Sequence, residues 1–344
     1  MIIDHKKERA FTLNKYSTRI VIKVILLVGC IFSCQHAFIS TAYYTTDDET
    51  RLSFIDSGVP TQISSGNNSN GNTNLHQAFG AIFDSLPPSH KRHKTKPMVL
   101  RNAIRRESIM DMDDIVLATH MTTNKFKVLL TQLKYWKGPA SVAVYVKSKA
   151  GLENFFNFRQ ENRPLLRNVS FHFVMEKTRM AYPHNILRNL AMESIESYYF
   201  LALDVDFIPM PEGSHDKLVQ NLNTTNSIFK NKKRTLFVLP AYELPPKEGE
   251  QYTTPDQLPN STEQTLDKLK NKKLLPFRKE KFPQGHAPTN FEKWQNNLRS
   301  PTGEIFYNID WQRNKKGAIK HFEPYVIGYR PGIPKYWEGK NFCS

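Results

Sequence analysis

Apolar and polar positions change rhythm three times along this chain. Residues 24–39 are mainly apolar and follow a basic opening that holds Lys6, Lys7, Arg9, Lys15, Arg19 and Lys23. Residues 45–95 are poor in core-forming side chains and contain the run ISSGNNSNGNTN. From about residue 109, short apolar runs alternate with amphipathic stretches. The pattern predicts strands over 114–119, 141–146, 169–175, 199–203 and 234–240. It predicts helices over 125–136, 152–159 and 184–195 between the first four of them. In the third helix Ile186, Leu187, Leu190 and Ala191 share one side. Such alternation predicts an α/β fold with a mixed, mainly parallel sheet and right-handed crossovers. Residues 245–300 are richer in Pro, Lys and Asn, with one helical piece near 263–269 and no internal repeat.

The apolar segment near the start reads as a type II signal-anchor. Sixteen helical residues span about 24 Å, short of the ~30 Å bilayer core. Residues 20–22 extend the span, and Lys23 can snorkel. The basic flank stays in the cytosol. A cleaved signal peptide is the competing reading, although no clear small-x-small site follows. A buried soluble helix is the third. The expected organisation is a cytosolic tail (1–19), a signal-anchor helix (20–40), a flexible stem (41–108) and one α/β domain (109–344). Residues 45–95 are expected to be irregular, because no apolar repeat stands out there. Sequons for N-glycosylation at Asn67, Asn168, Asn223 and Asn260 agree with a luminal chain.

Composition adds a charge question. The 344 residues carry 48 Lys+Arg against 32 Asp+Glu, a net charge of +16. A basic balance suits nucleic acid, an acidic membrane surface or an anionic substrate. The charge lies in short clusters, such as Lys91-Arg92-His93-Lys94, without a nucleic-acid-binding motif. It therefore reads as solvated surface, with a share for an anionic sugar nucleotide. Of three cysteines, Cys30 and Cys34 lie in the apolar segment and Cys343 is next to last. The region expected to be luminal has no internal disulfide available before Cys343.

The most informative segment is YYFLALDVDFIPM, residues 198–210. Its apolar run suits a buried parallel strand. Period-two alternation in an extended chain puts Asp204 and Asp206 on one face. Two carboxylates ~6–7 Å apart repel by about 2–3 kcal/mol at an effective dielectric of ~20. A divalent cation removes that cost and leaves coordination positions for a diphosphate. In open α/β sheets ligands bind at the carboxyl ends of strands, where this pair falls. An Asp-x-Asp alone is common, and two aspartates in a turn are the plain alternative.

The pair has companions in order: NILRNLAMESIESYYFLALDVDFIPMP, FVLPAYE, QGHAPTNFEKW and HFEPYV. From about residue 114 to 336 this succession resembles the LARGE-type and β-1,4-glucuronyltransferase-type enzymes of glycosyltransferase family 49. The resemblance implies a GT-A-like nucleotide-sugar-binding sheet in a single-pass type II Golgi membrane protein. It also implies Mn²⁺ as cofactor and a UDP-sugar donor, commonly UDP-glucuronic acid. The acceptor would be a β-linked xylose on a glycoprotein O-mannosyl glycan, and transfer would proceed with inversion.

Carried over by residue, Asp204 and Asp206 match the acidic pair. Asp206 is the expected direct metal ligand, and Asp204 meets metal or ribose. Asn185 and Arg188 match the preceding helix motif, with Arg188 expected to pair with the donor's diphosphate or carboxylate and a surface salt bridge as its plain alternative. His286, Thr289 and Asn290 match a loop that lines the sugar. Phe291 and Trp294 read as packing. Weak candidates for the base are Glu243 and Glu323, either of which could instead orient side chains or satisfy backbone donors. The chain departs from the family after Pro334-Lys335-Tyr336. There WEGKNFCS stands where the family continues into a His-rich segment carrying the expected base and a third metal ligand. The expectation is weak or absent sugar transfer by the chain as given. The alternative function is non-catalytic, binding a UDP-sugar or a partner glycosyltransferase, and a third reading is a secretory polyanion-binding protein.

Overall fold

The computed structural model describes residues 21–24, 42–43, 69–86, 97–177, 182–224, 235–245, 258–278, 282–286, 289–298, 309–310, 324–336 and 338. In chain order the elements are β1 (Val21–Val24), β2 (Ala42–Tyr43), α1 (Ser69–Ser85), β3 (Met98–Ile104), β4 (Ile115–Thr122), α2 (Phe126–Trp136), β5 (Ala140–Val146), α3 (Lys149–Glu161), α4 (Arg163–Leu166), β6 (Val169–Met175), α5 (His184–Glu193), β7 (Tyr199–Ala202), α6 (Ser214–Thr224), β8 (Thr235–Leu239), β9 (Tyr242–Glu243), α7 (Thr262–Lys270), β10 (Leu275–Pro276), α8 (Pro283–His286), α9 (Phe291–Leu298), β11 (Ile309–Asp310) and β12 (Tyr325–Tyr329).

The main sheet runs β11-β1-β8-β12-β7-β4-β5-β6-β3, with β2 also on β8. Its centre, β7-β4-β5-β6, is parallel. Antiparallel β3 borders it on one side and antiparallel β12 on the other. β5 and β6 are buried along their whole length and β4 nearly so, as strands covered on both faces must be. The chain steps from β4 to β5 to β6, then returns through α5 to place β7 on the far side of β4. That reversal is a topological switch point, and it opens a crevice at the carboxyl ends of β4 and β7. The expected α/β architecture is present, with a parallel centre.

The two faces of this centre differ. Ala202, Ala118, Ser141 and Ser170 form a row of small side chains across the four strands. Helix α5 lies on this face, with the Ser141 hydroxyl donating to the Ala191 carbonyl at 2.6 Å. The opposite face is bulky. There Phe155 of α3 meets Phe171 and Phe173 of β6 at ring separations of 5.0 Å each. Because strand side chains alternate, His120 and His172 share the small-residue face, in register with Ala143 between them.

The segment before the sheet corrects one expectation. Residues 69–85 are not irregular: they form α1, which packs on α3. Leu75, Phe79, Ile82, Phe83 and Leu86 recur at helical spacing, an apolar stripe diluted by the Ser, Asn and Gly that precede it. Phe79 is buried against Phe156 and Phe173 at 5.8 and 5.3 Å. Lys177 Nζ closes the helix end by donating to the carbonyls of Asp84 and Leu86. α1 and β3 therefore extend the packed unit to residues before 109. Of the expected anchor, only residues 21–24 are described, and they form β1, parallel to β8, not helix. The β-branched run Val21-Ile22 with Val24 suits a strand. The rest of residues 20–40 lies outside the described residues. No helix among the described residues is long and apolar enough to cross a membrane.

His172 is fully buried and keeps a defined tautomer. The Asn102 N–H donates to its Nδ1 at 2.8 Å, so Nε2–H donates to Ser141 Oγ at 2.9 Å. Burial, aided by the Arg101 charge, pushes its pKa down to about 3. An unfolded histidine titrates near 6.5, so between these values the unfolded chain binds the extra proton. The stability contributed by neutral His172 is complete above pH ~6.5 and is lost as pH falls, by up to about 1.4 kcal/mol per pH unit. Urea unfolding from pH 7 to 5 should show this slope, and His172→Gln should flatten it. An equally steep slope in the variant would assign the loss to other groups.

Candidate functional site

The site assembles where β4 and β7 end. β7 stops at Ala202, the Leu203 N–H still donates to the Ala118 carbonyl at 3.1 Å, and the chain then turns, with the Phe207 N–H donating to the Asp204 carbonyl at 3.0 Å. Asp204 and Asp206 thus lie on a turn, not on an extended strand with both carboxylates on one face. Gln132 of α2, itself buried, pins the turn by donating to the carbonyls of Asp204 (3.1 Å) and Phe207 (2.7 Å). The turn gives the two carboxylates different surroundings.

Asp204 is engaged on all sides. Arg188 of α5 donates to both its oxygens, at 2.9 and 3.1 Å from Nη2, and Nε stands at 3.3 Å. His120 Nε2 lies 3.0 Å from Oδ1, and His120 Nδ1 lies 2.8 Å from the Tyr182 hydroxyl. Burial works to raise the Asp204 pKa, but the His120 hydrogen bond and the Arg188 charge overcome it and hold the carboxyl well below the usual range. Burial also raises the Tyr182 phenol, with Asp204 adding to the effect. Beside them, His184 is pushed down by burial and then by the neighbouring His120 and Arg188 charges.

Asp206 is open. Its side chain is 58% exposed, against 29% for Asp204. Its contact is Lys125 Nζ, 2.9 Å from Oδ1. Two carboxylates and two cations (Asp204 with Arg188, Asp206 with Lys125) therefore balance in charge within one crevice.

The other expected residues take separate places. Asn185 lies half-buried in the first turn of α5, ahead of Arg188. His286 reaches the acidic turn through rings: Phe207 contacts Phe277 at 4.8 Å, and Phe277 contacts His286 at 5.0 Å. His286 is buried, its Nε2 has no hydrogen-bond partner among the described residues, and burial followed by the Arg278 charge lowers its pKa. Thr289 is buried. Asn290 starts α9, its Oδ1 accepting the Lys293 N–H at 3.1 Å. Phe291 and Trp294 pack on Tyr242 at 5.3 and 5.4 Å. Glu243 accepts the Arg278 backbone N–H at 3.1 Å, a loop-fixing task. Glu323 and Asn67 lie outside the described residues. Asn260 is exposed before α7, Asn168 is half-buried, and Asn223 falls in α6. His120, Lys125 and Tyr182 were not singled out from sequence. A histidine ending an otherwise apolar first strand was the available signal.

A divalent cation fits this donor set in one way only. No group of three or more His, Cys, Asp or Glu among the described residues could cage a metal. One open carboxylate beside one neutralised carboxylate suits an ion that keeps water and phosphate oxygens as its other ligands.

Comparison with known proteins bears on the same residues. The family described as "Glycosyl-transferase for dystroglycan" matches residues 114–181 and 175–338. The Gallus gallus xylosyl- and glucuronyltransferase LARGE2s is 31% identical over 270 residues, 76% of this chain and 33% of that protein. Homo sapiens xylosyl- and glucuronyltransferase LARGE1 is 31% identical over 232 residues, 67% of this chain and 27% of that protein. The chain thus spans at most about a third of the length of these curated relatives. Among solved structures, S. aureus TarS 1-349 in complex with UDP overlaps with a TM-score of 0.27 and 13% identity, covering 41% of this chain and 38% of that one. That overlap assigns nothing to this chain.

Proposed function

This chain belongs to the family of glycosyl-transferases for dystroglycan, and from that premise we propose that it binds a UDP-sugar through a divalent cation at Asp206 and transfers the sugar with inversion. One observation carries the reading: an open carboxylate, Asp206, at the mouth of the switch point, beside Asp204, which Arg188 has already neutralised and His120 hydrogen-bonds. Mn²⁺ is the proposed ion, and when bound it would offset charge that develops on the departing diphosphate. Asp206 would hold that ion. Asp204 serves to fix Arg188, so that a cationic guanidinium faces the crevice in one orientation. His120, itself buried, links Asp204 to the Tyr182 hydroxyl and so steadies that carboxylate. UDP-glucuronic acid is the proposed donor, and a β-xylose on an O-mannosyl glycan the proposed acceptor. Support comes from the family resemblance and from relatives named xylosyl- and glucuronyltransferases.

Inversion needs a base for the acceptor hydroxyl, and Glu243 is committed to a backbone N–H. That engagement favours a second reading, in which the chain holds a nucleotide-sugar or a partner glycosyltransferase without transferring. Both readings share the nucleotide site and are proposed for the Golgi lumen; a type II anchor there would exclude residues 21–24, which pair with β8 as β1.

Calorimetry of UDP binding with and without Mn²⁺ tests the shared site. Asp206→Asn should abolish the Mn²⁺-dependent gain in UDP affinity while unfolding within about 1 kcal/mol of wild type, since it breaks an exposed ion pair. Asp204→Asn should lose more stability, because it leaves Arg188 without its counter-charge. An unchanged Mn²⁺-dependent gain in Asp206→Asn would remove this carboxylate from the site. A panel of UDP-sugars with a β-xyloside should show turnover or slow hydrolysis of UDP-glucuronic acid, and preference for UDP-xylose would reassign the donor. Tags at each end, read under selective permeabilisation, should place the N-terminus in the cytosol. A luminal N-terminal tag would contradict the anchor.

A further inference from the structure

We propose that Lys125 is a positioning residue that exchanges partners: it neutralises Asp206 in the empty site and moves to the donor's diphosphate when the cation binds. The inference rests on the metal and nucleotide reading of Asp206 given above. Its basis is where Lys125 stands and how it is held. It stands three residues after the end of β4 and immediately before α2, on the carboxyl side of the sheet where the crevice opens. Its backbone is fixed on both sides, the N–H donating to the Thr122 carbonyl at 3.1 Å and the carbonyl accepting the Leu129 N–H at 3.0 Å. Only the side chain is left to move, and it is 37% exposed.

The contact it makes is easily exchanged. An ammonium and a carboxylate in solvent hold each other weakly. A divalent ion on Asp206 attracts the same carboxylate with twice the charge and repels the ammonium. Lys125 must then leave, and its four-carbon stem lets the charge swing while the backbone stays fixed. A diphosphate held together with that ion would give the ammonium a new anion to meet. Arg188 cannot take that role by moving, because three contacts tie it to Asp204. The two cations thus differ: one is locked, the other can switch. The start of α2 adds to the same side, since no side chain caps its first N–H groups.

This exchange has a signature of opposite signs. Lys125 competes with the cation and cooperates with the nucleotide. Lys125→Met should therefore bind Mn²⁺ alone more tightly, by about two- to fivefold, the weight of an exposed ion pair. The same variant should bind UDP more weakly in saturating Mn²⁺, by about tenfold or more, the weight of a charge-assisted hydrogen bond. Lys125→Arg should restore UDP affinity. Mn²⁺ binding is read by the paramagnetic resonance of the free ion and UDP binding by calorimetry, with a thermal melt confirming the fold of each variant. A fall in both affinities would show that Lys125 only holds the turn, and no change in either would show that it touches neither ligand. Each result overturns the exchange. Asp206→Asn is measured in parallel: if it binds Mn²⁺ as wild type does, the metal site itself is wrong. If Asp206→Asn loses Mn²⁺ while Lys125→Met shows no opposing shifts, only the exchange fails.

Discussion

Arg188 reaches Asp204 because α5 can lie close to the sheet, and α5 can lie close because the row beneath it is Ala202, Ala118, Ser141 and Ser170. Larger side chains in that row would lift the helix, as packed interiors accept extra volume poorly. The hydroxyl of Ser141 also bonds the Ala191 carbonyl near the helix end. The guanidinium is thereby delivered to the place where β7 gives way to a turn. The opposite face needs no such approach, and there Phe155, Phe171, Phe173 and Phe79 fill the space between sheet and helices.

This arrangement separates two carboxylates that are only two residues apart. Asp204 points back to α5 and β4, where Arg188 and His120 meet it. Asp206 points out, where Lys125 meets it. An unpaired pair of aspartates would repel and bind a cation strongly but loosely placed. Neutralising one carboxylate by residues of the fold leaves a single negative charge to be shared by a small mobile cation or a divalent ion. The turn, pinned by Gln132, decides which aspartate does which.

The parallel centre was legible because apolar runs and amphipathic stretches alternate from residue 114 onward. Strands buried on both faces carry no competing signal. The acidic pair was legible because it ends an unbroken apolar run, Tyr198 to Leu203. Its geometry was not, since period-two reasoning assumes that the strand continues, whereas β7 stops at Ala202. α1 escaped notice for a local reason: Ser69-Asn70-Gly71-Asn72 reads as a loop, and the stripe from Leu75 to Leu86 begins only afterwards. His120 and Lys125 were hidden differently. Their roles arise from strand order, which sets β4 beside β7, and no window around residue 120 contains residue 204.

Helix α5 ties these parts together through residues that lie close in sequence. Arg188 faces the acidic turn, and its guanidinium also lies 5.5 Å from the Tyr336 ring. Asn189, one position on and about 100° around the helix, uses its amide to grip the Tyr336 backbone in both directions, at 2.8 Å each. The Ala191 carbonyl takes Ser141. Three neighbouring positions thus join the acidic turn, the segment after β12 and the middle of the sheet. A shift of α5 along the sheet would disturb all three at once, so the resistance to such a shift is shared. Contacts outside the crevice thus reinforce the direct pairing of Arg188 with Asp204, and Asp206 and Lys125 are the side chains left open to a ligand.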